Sequence, residues 1–445
     1  MSSVNLVVGG GIAGIVTAIL AAQKFPQTPV YLIEKESSVG GLLRSTEKAP
    51  GLFFDYGSHC PVESTNQALN ELLYADLNDD FYAFKTLAGG SYFAGQYFNQ
   101  TQLLNATSTS YAAQALSELR VCTKTSQFNT GKSLSALIKN TYGETVAKAF
   151  IGPIMQKLMG ATLEDLHPNA HLLFGLNRLV LGSADQMREL KQEENFDRVL
   201  GFASFREGIS PYNKYYPKNH QGIDLWTQRL FNKAESVGVK VLTGVGLQSL
   251  DIDNGQITCG CLDQGQKINI KHLYWTIPPF LLLKLGQVNY QPAYRPSFRK
   301  TQLAHFVVDK PFCVDNYHIY CWEPSMSSFR ITLYNNIPEH KPLGAPFKCT
   351  VELMMGSEKP ELTQDEITQE LITMGIIDTT HQVTQFYEDI IPVGFPAYTI
   401  KFVEELQNQH QAIVSALKNV SLFGKASAKN FFMHYVLNEI HQSLS

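Results

Sequence analysis

Val4-Asn5-Leu6-Val7-Val8-Gly9-Gly10-Gly11-Ile12-Ala13-Gly14, with Val30-Tyr31-Leu32-Ile33-Glu34 after it, decides the fold of this chain. Val4 to Val8 is an apolar run of strand length, and Ile15 to Lys24 is Ala-rich and free of helix breakers. Pro26 and Pro29 bracket the turn that leads to the second apolar run. Strand, helix and strand in this order imply a parallel sheet. The glycines between the first strand and the helix fit G-x-G-x-x-G. Gly9 permits a tight turn, Gly11 lets the backbone approach a pyrophosphate, and Gly14 lets helix and strand pack closely. The helix N-terminus then offers free N–H groups and the positive end of its dipole to phosphate. Glu34 ends the second strand about 20 residues on, where a carboxylate accepts hydrogen bonds from ribose hydroxyls. A glycine turn without a ligand is the competing reading, but strand, glycines, helix and acid agree on a dinucleotide. The charge of Glu34 opposes a 2′-phosphate, which argues against NADP. NAD and FAD both remain open on these residues.

The chain has 445 residues, more than one ordinary domain. Its hydrophobic share of 44%, charged share of 17% and net charge of −4 describe a globular protein with no basic stripe for nucleic acid. Seven cysteines stand at irregular spacing, and Cys259 and Cys261 form C-x-C. No zinc-finger spacing follows, so reduced thiols, a cytoplasmic location and no metal site are expected. The opening residues lack the basic n-region of a signal peptide, and no run of about 18 apolar residues is long enough for a membrane span. Further along, helices are expected at Gln67 to Tyr74, Tyr111 to Leu119, Leu134 to Asn140 and Thr145 to Phe150. A hairpin is expected within 87–104 and an exposed charged helix or loop over 183–200. Asp224 to Ser236 reads as an amphipathic helix, and Val239 to Leu242 as a strand. A β-meander turns at Asn254-Gly255. Alternating aromatic runs over 301–356 suggest an antiparallel sheet, and Val420 to Phe423 a last buried strand before a closing helix.

Beyond Glu34 stands Ser37-Ser38-Val39-Gly40-Gly41-Leu42-Leu43-Arg44, then Phe53-Phe54-Asp55-Tyr56-Gly57-Ser58-His59. Together with the first motif, these stretches resemble the flavin-containing amine oxidase, protoporphyrinogen oxidase, phytoene desaturase and UDP-galactopyranose mutase group. The resemblance implies non-covalent FAD. It assigns to the cofactor Gly9, Gly11, Ile12, Ala13, Gly14, Glu34, Lys35, Gly40, Gly41, Leu42, Arg44, Gly57, Ser58 and His59. Amine oxidases place Arg directly after the second glycine pair, whereas Leu42 and Leu43 intervene here. Tyr215-Tyr216-Pro217-Lys218, with Gly222 and Trp226, resembles the segment that re-enters the FAD domain. Leu247 stands at the usual contact position of the adenine-flanking strand, and Thr276 in Thr276-Ile277-Pro278 near the cofactor. Gly424, with Met433, resembles the final strand–Gly–helix element, although Lys425 replaces the arginine of the mutases. The implied fold is α/β, with a Rossmann-like FAD-binding domain (1–75, 212–285, 405–445) interleaved with a mixed α+β substrate domain (76–211, 286–404). The active site is expected where the two meet.

His59 is a candidate catalytic residue, because imidazole titrates near neutrality and donates hydrogen bonds. The other is Arg330, on a strand of the substrate sheet, whose fork matches a substrate diphosphate as in the mutases. Arg206 is a weaker candidate. Tyr212, Tyr215 and Tyr216 either line a substrate cavity or cover a sheet. The leading expectation is an FAD-dependent oxidoreductase passing hydride from a small-molecule substrate to flavin. A redox-neutral, mutase-like enzyme acting on a nucleotide sugar is the alternative, and a non-enzymatic flavoprotein the third.

Overall fold

The computed structural model describes residues 3–77, 79–201, 209–218, 221–337, 346–430 and 432–445; Arg206 lies outside them. The chain divides into two compact units. The first comprises Met1–Ala83, Lys214–Arg295 and Val403–Ser445, and the second Phe84–Asn213 and Pro296–Phe402.

The first unit is built on a seven-stranded sheet. Its parallel part sets Lys240–Thr243, Val30–Glu34, Val4–Val8, Lys267–Trp275 and Val420–Leu422 side by side. Gln256–Leu262 and Leu247–Asp253 extend it as an antiparallel meander. Val4–Val8 is buried throughout, as a parallel strand covered on both faces must be. Alternation sends Val7 and Leu32 to one face, where Ile12–Lys24, Asp224–Ser236 and Met433–Leu444 supply Ile15, Trp226, Leu230 and Ile440. Leu6, Val8 and Ile33 point the other way, onto Leu250, Ile257, Leu282 and Ile413. Register matters more for function than packing does. Val8 pairs with Ile33 and Trp275, Ile33 with Leu242, and Trp275 with Leu422. The carboxyl ends of these strands are therefore level. Gly9, Lys35, Gly244, Thr276 and Phe423-Gly424 leave the sheet along one edge, where ligands of open α/β sheets bind.

The second unit holds another seven-stranded sheet, ordered Val383–Pro396, Phe298–Val308, Phe347–Gly356, Ser328–Leu333, His318–Cys321, Gly89–Phe93 and Gln96–Phe98. The last two strands are the hairpin expected within 87–104. One sheet face is apolar and packs Ala304, Phe306, Ile319, Ile331 and Val351 against Ile367 and Leu371 of the Gln364–Thr373 helix. A capping box between Thr363 and Glu366 starts that helix.

Three features were not foreseen from the sequence. The 183–200 region is not simply exposed. Ala184–Leu190 and Glu194–Val199 are helices that bury Met187, Leu190, Phe196 and Val199. The Val383–Pro396 strand escapes a sequence reading because Pro392 and Gly394 interrupt it. Among the described residues it pairs only with Phe298–Val308, and an edge strand with register shifts tolerates both residues. The short antiparallel pair Ser45–Ala49 and Leu52–Asp55 is the third unforeseen element.

That pair presents Asp55, which is almost fully buried. Its carboxylate accepts from Ser45 Oγ at 2.6 Å, Tyr216 Oη at 2.6 Å and the Ile223 N–H at 2.9 Å. Asp55 thus pins the re-entering 215–224 stretch into the first unit. Asp55→Ala leaves these donors buried without their acceptor, at a cost of about 3 kcal/mol or more. Thermal or urea unfolding should show this loss, and a variant as stable as the parent would remove Asp55 from this role.

Candidate cofactor site

At the edge of the first sheet the glycine turn is held from several sides. Gly9 has φ +108° and donates its N–H to the Ile33 carbonyl at 2.9 Å. Thr276 Oγ1 donates to the Val8 carbonyl at 2.8 Å and lies where a Cβ on Gly9 would go, 2.5 Å away. A Cβ on Gly14 would sit 1.7 Å from the Gly9 carbonyl oxygen, so helix and turn meet only without a side chain there. Gly10 was an unassigned position in the sequence reading, and the structure gives it work. Its N–H donates to Glu34 Oε2 at 2.6 Å, and a Cβ there would fall 2.8 Å from Glu34 Cβ. The other Glu34 oxygen accepts the Glu36 N–H at 2.8 Å. Glu34 therefore braces the turn as well as facing the place expected for a ribose, and each oxygen keeps a further lone pair.

The second glycine pair closes on the first. Gly40 donates its N–H to the Gly10 carbonyl at 2.8 Å, and Gly11 bridges Gly40. A Cβ on Gly41 would come within 3.3 Å of Gly11 Cα. Gly11 differs from its neighbours: a Cβ there meets no protein atom within 4 Å. The Ile12–Lys24 helix begins at Gly11 with no side-chain cap and no acid in its first turn. Its first N–H groups and dipole thus face open space beside a residue without a side chain, which suits a diphosphate.

Other sequence candidates fall around this turn. Gly424, at φ +66°, places its Cβ direction 3.4 Å from Ala13, and Met433 packs with Ile12 and Ala13 on the helical core. The loop after Lys240–Thr243 is tied to the second strand by Gly244 and Val245 N–H bonds to the Glu36 and Glu34 carbonyls, at 2.8 and 2.9 Å. Leu247 follows, half-buried. Lys35 and Leu42 are exposed. Arg44 stacks on Tyr56 at 4.6 Å, and its buried Nε has no hydrogen-bond partner. An orphaned guanidinium N–H in this region fits an anionic ligand. Gly57 has φ +99°, Ser58 is half-buried, and His59 Nε2 donates to the Tyr56 carbonyl at 3.1 Å. Tyr215 and Tyr216 are buried, and their hydroxyls donate to Glu63 and Asp55 at 2.6 Å each. Through these bonds they anchor the chain.

The comparisons agree with this geometry. Residues 7–75 match the family described as NAD(P)-binding Rossmann-like domain. No curated protein sequence matches the chain significantly. A reduced UDP-galactopyranose mutase superposes with a TM-score of 0.73 at 15% identity, over 96% of this chain and 89% of its own. A protein of an Exiguobacterium species, provisionally named protoporphyrinogen oxidase, gives 0.70 at 16%, over 100% and 98%. A putrescine oxidase redesigned in its cofactor binding gives 0.62 at 13%, over 100% and 98%. In fold the chain is similar to all three of these solved structures. At these identities the likeness is one of architecture.

Arg330 lies in the second unit, within Ser328–Leu333. The structure does not leave its fork free for a diphosphate. Nε and Nη2 donate to the two oxygens of Glu352 at 2.6 and 2.8 Å, from the register partner on the next strand. Although burial disfavours its charge, Glu352 and Tyr320 hold the guanidinium charged far above any physiological pH. Such a pair is fixed by bidentate geometry and by low exposure of Glu352.

Two predictions follow from these contacts. Gly11 has φ −71°, which any residue adopts, and open space around its Cβ. Gly11→Val should therefore melt like the ligand-free parent yet lose cofactor, whereas Gly14→Ala should unfold early even without ligand. A Gly11→Val protein with full cofactor occupancy would place the diphosphate elsewhere. Arg330→Ala strands the Glu352 carboxylate and should cost about 3–5 kcal/mol of stability. Denaturant unfolding of this variant beside an Arg330→Ala/Glu352→Leu double variant checks it, with recovery expected in the second.

Proposed function

We propose that the chain is an FAD-dependent oxidoreductase that binds its cofactor non-covalently and takes hydride from a small-molecule substrate. The observation that carries this reading is the turn at Gly11, where the helix starts without a side-chain cap and a Cβ would meet no atom within 4 Å, beside its bridge to Gly40. Bound flavin supplies the hydride acceptor. The chain's own residues supply placement. Gly11 and the first helix turn hold the diphosphate, and Glu34 accepts from the adenosine ribose while keeping Gly10 in line. Gly40 and Gly41 let the backbone approach the remainder of the diphosphate, and Arg44 offsets its charge. Gly57 and the His59 ring, oriented through Nε2 by the Tyr56 carbonyl, stand where the resemblance sets the isoalloxazine.

FAD is favoured over NAD by the second glycine pair and by full-length likeness to a mutase and two oxidases. A mutase-like, redox-neutral activity on a nucleotide sugar is the second reading, supported by the mutase superposition. Of the two features that favour it, the Gly424-Lys425 element and Arg330, the second has its Nε and Nη2 engaged by Glu352.

Purified protein should be yellow, and denaturation should release FAD. Aerobic mixing with amines, polyamines and porphyrinogens, followed by flavin bleaching and oxygen uptake, then tests for hydride transfer. UDP-sugars added to dithionite-reduced protein test the second reading. A colourless protein that binds NAD but takes up no FAD would refute the cofactor assignment.

A further inference from the structure

Two loops of the second unit bring together a thiol, a carboxylate and an imidazole: Cys313, Asp378 and His381, with one ligand atom from each lying within 4.8 Å of the others. We propose that these residues form a zinc(II) site. It is independent of the flavin reading and of the cofactor site in the first unit.

The histidine carries the argument. His381 Nε2 lies 3.0 Å from the Pro311 carbonyl oxygen, an acceptor only, so Nε2 bears the proton. Nδ1 accepts the Asp378 N–H at 3.1 Å, which agrees on the same tautomer. The Nδ1 lone pair nevertheless lies 2.9 Å from Asp378 Oδ1. Either a proton on Nδ1, which pairs the ring with the carboxylate, or a metal ion in that proton's place joins the two atoms. A backbone carbonyl on one imidazole nitrogen, with the other turned to a carboxylate and a thiol, is the arrangement that metal-binding histidines adopt. Cys313 Sγ stands 4.0 Å from Asp378 Oδ2, on the exposed side of the cluster. Thiolate, imidazole and carboxylate suit zinc, with water as the fourth ligand of a tetrahedron.

The loops are held before any ion arrives. Cys313 donates its N–H to the Ile376 carbonyl at 2.9 Å, Asp309 to the Gln382 carbonyl at 3.1 Å, and Gln382 back to Asp309 Oδ1 at 2.9 Å. Asp378 Oδ1 also accepts the Thr380 N–H at 2.8 Å and the Thr380 hydroxyl at 2.5 Å. Lys310 Nζ lies 3.4 Å from the same oxygen and donates to the Thr380 hydroxyl. This ammonium is partly exposed and competes with a metal for the carboxylate. Binding forms Zn–S, Zn–N and Zn–O bonds, displaces the Asp378 N–H from Nδ1 and releases the Cys313 thiol proton to solvent.

The test is calorimetric titration of the full chain, as isolated and stripped with chelator, with zinc chloride, and zinc content by mass spectrometry after dialysis. One zinc per chain is expected. Cys313→Ser and His381→Ala should each weaken binding at least tenfold, while Lys310→Ala should tighten it severalfold. Cobalt(II) in place of zinc should give a thiolate charge-transfer band in the difference spectrum that Cys313→Ser lacks. Circular dichroism confirms that each variant is folded. No stoichiometric uptake by the parent, or uptake that Cys313→Ser and His381→Ala leave unchanged, overturns the site.

Discussion

Gly14 lies so close to the carbonyl of Gly9 that no side chain fits between them, and the first unit depends on that approach. It lets the first helix start directly above the first strand, which aims the uncapped N-terminus along the sheet edge. The level strand ends then bring Glu34, Gly244, Thr276 and Gly424 to the same edge. Nothing in this arrangement requires a residue with unusual chemistry. It requires missing side chains at defined places and one carboxylate that braces the turn while facing the ligand.

The same economy explains what was legible in the sequence. A βαβ start announces itself because its signals are local: five apolar residues, three spaced glycines, a helix without breakers and an acid. Gly9, Gly11, Gly14 and Glu34 were readable for that reason. Gly10 was not, because its N–H bond to Glu34 depends on how the second strand registers against the first. The Val383–Pro396 strand was hidden because edge position, which excuses its proline, is a property of the sheet and not of the segment. The roles of Tyr215 and Tyr216 stay open in the sequence because their partners Glu63 and Asp55 are more than 150 residues away in the chain.

Several buried charges are satisfied by more than one protein group. Asp55 gathers three protein donors, and Lys157 donates to the carbonyls of Cys321, Glu323 and Ser328 at 3.0, 2.8 and 2.7 Å. Burial pulls the Lys157 ammonium below the usual lysine range, and those carbonyls are what keep a buried charge satisfied there. The Arg330–Glu352 pair satisfies itself in the same way. A charged residue on a sheet strand is thus ambiguous from sequence alone, because a ligand clamp and an internal strut use the same guanidinium. The deciding fact is what stands opposite in register, and opposite Arg330 stands Glu352.

That criterion also bears on two polar groups at the candidate sites. Arg44 Nε is buried without an acceptor, in the unit whose glycine turn has space for an anion. His381 Nδ1 lies against the Asp378 carboxylate, where a proton or a metal ion joins the two. One geometry lacks negative charge and the other lacks positive charge. Sequence spacing could reveal neither. Arg44 stands after an atypical pair of leucines, and Cys313 and His381 lie on loops far apart in the chain. Around both atoms the backbone is fixed by hydrogen bonds, Tyr56 N–H to the Arg44 carbonyl and Cys313 N–H to the Ile376 carbonyl, so an anion at the first and a cation at the second are the ligands these geometries fit.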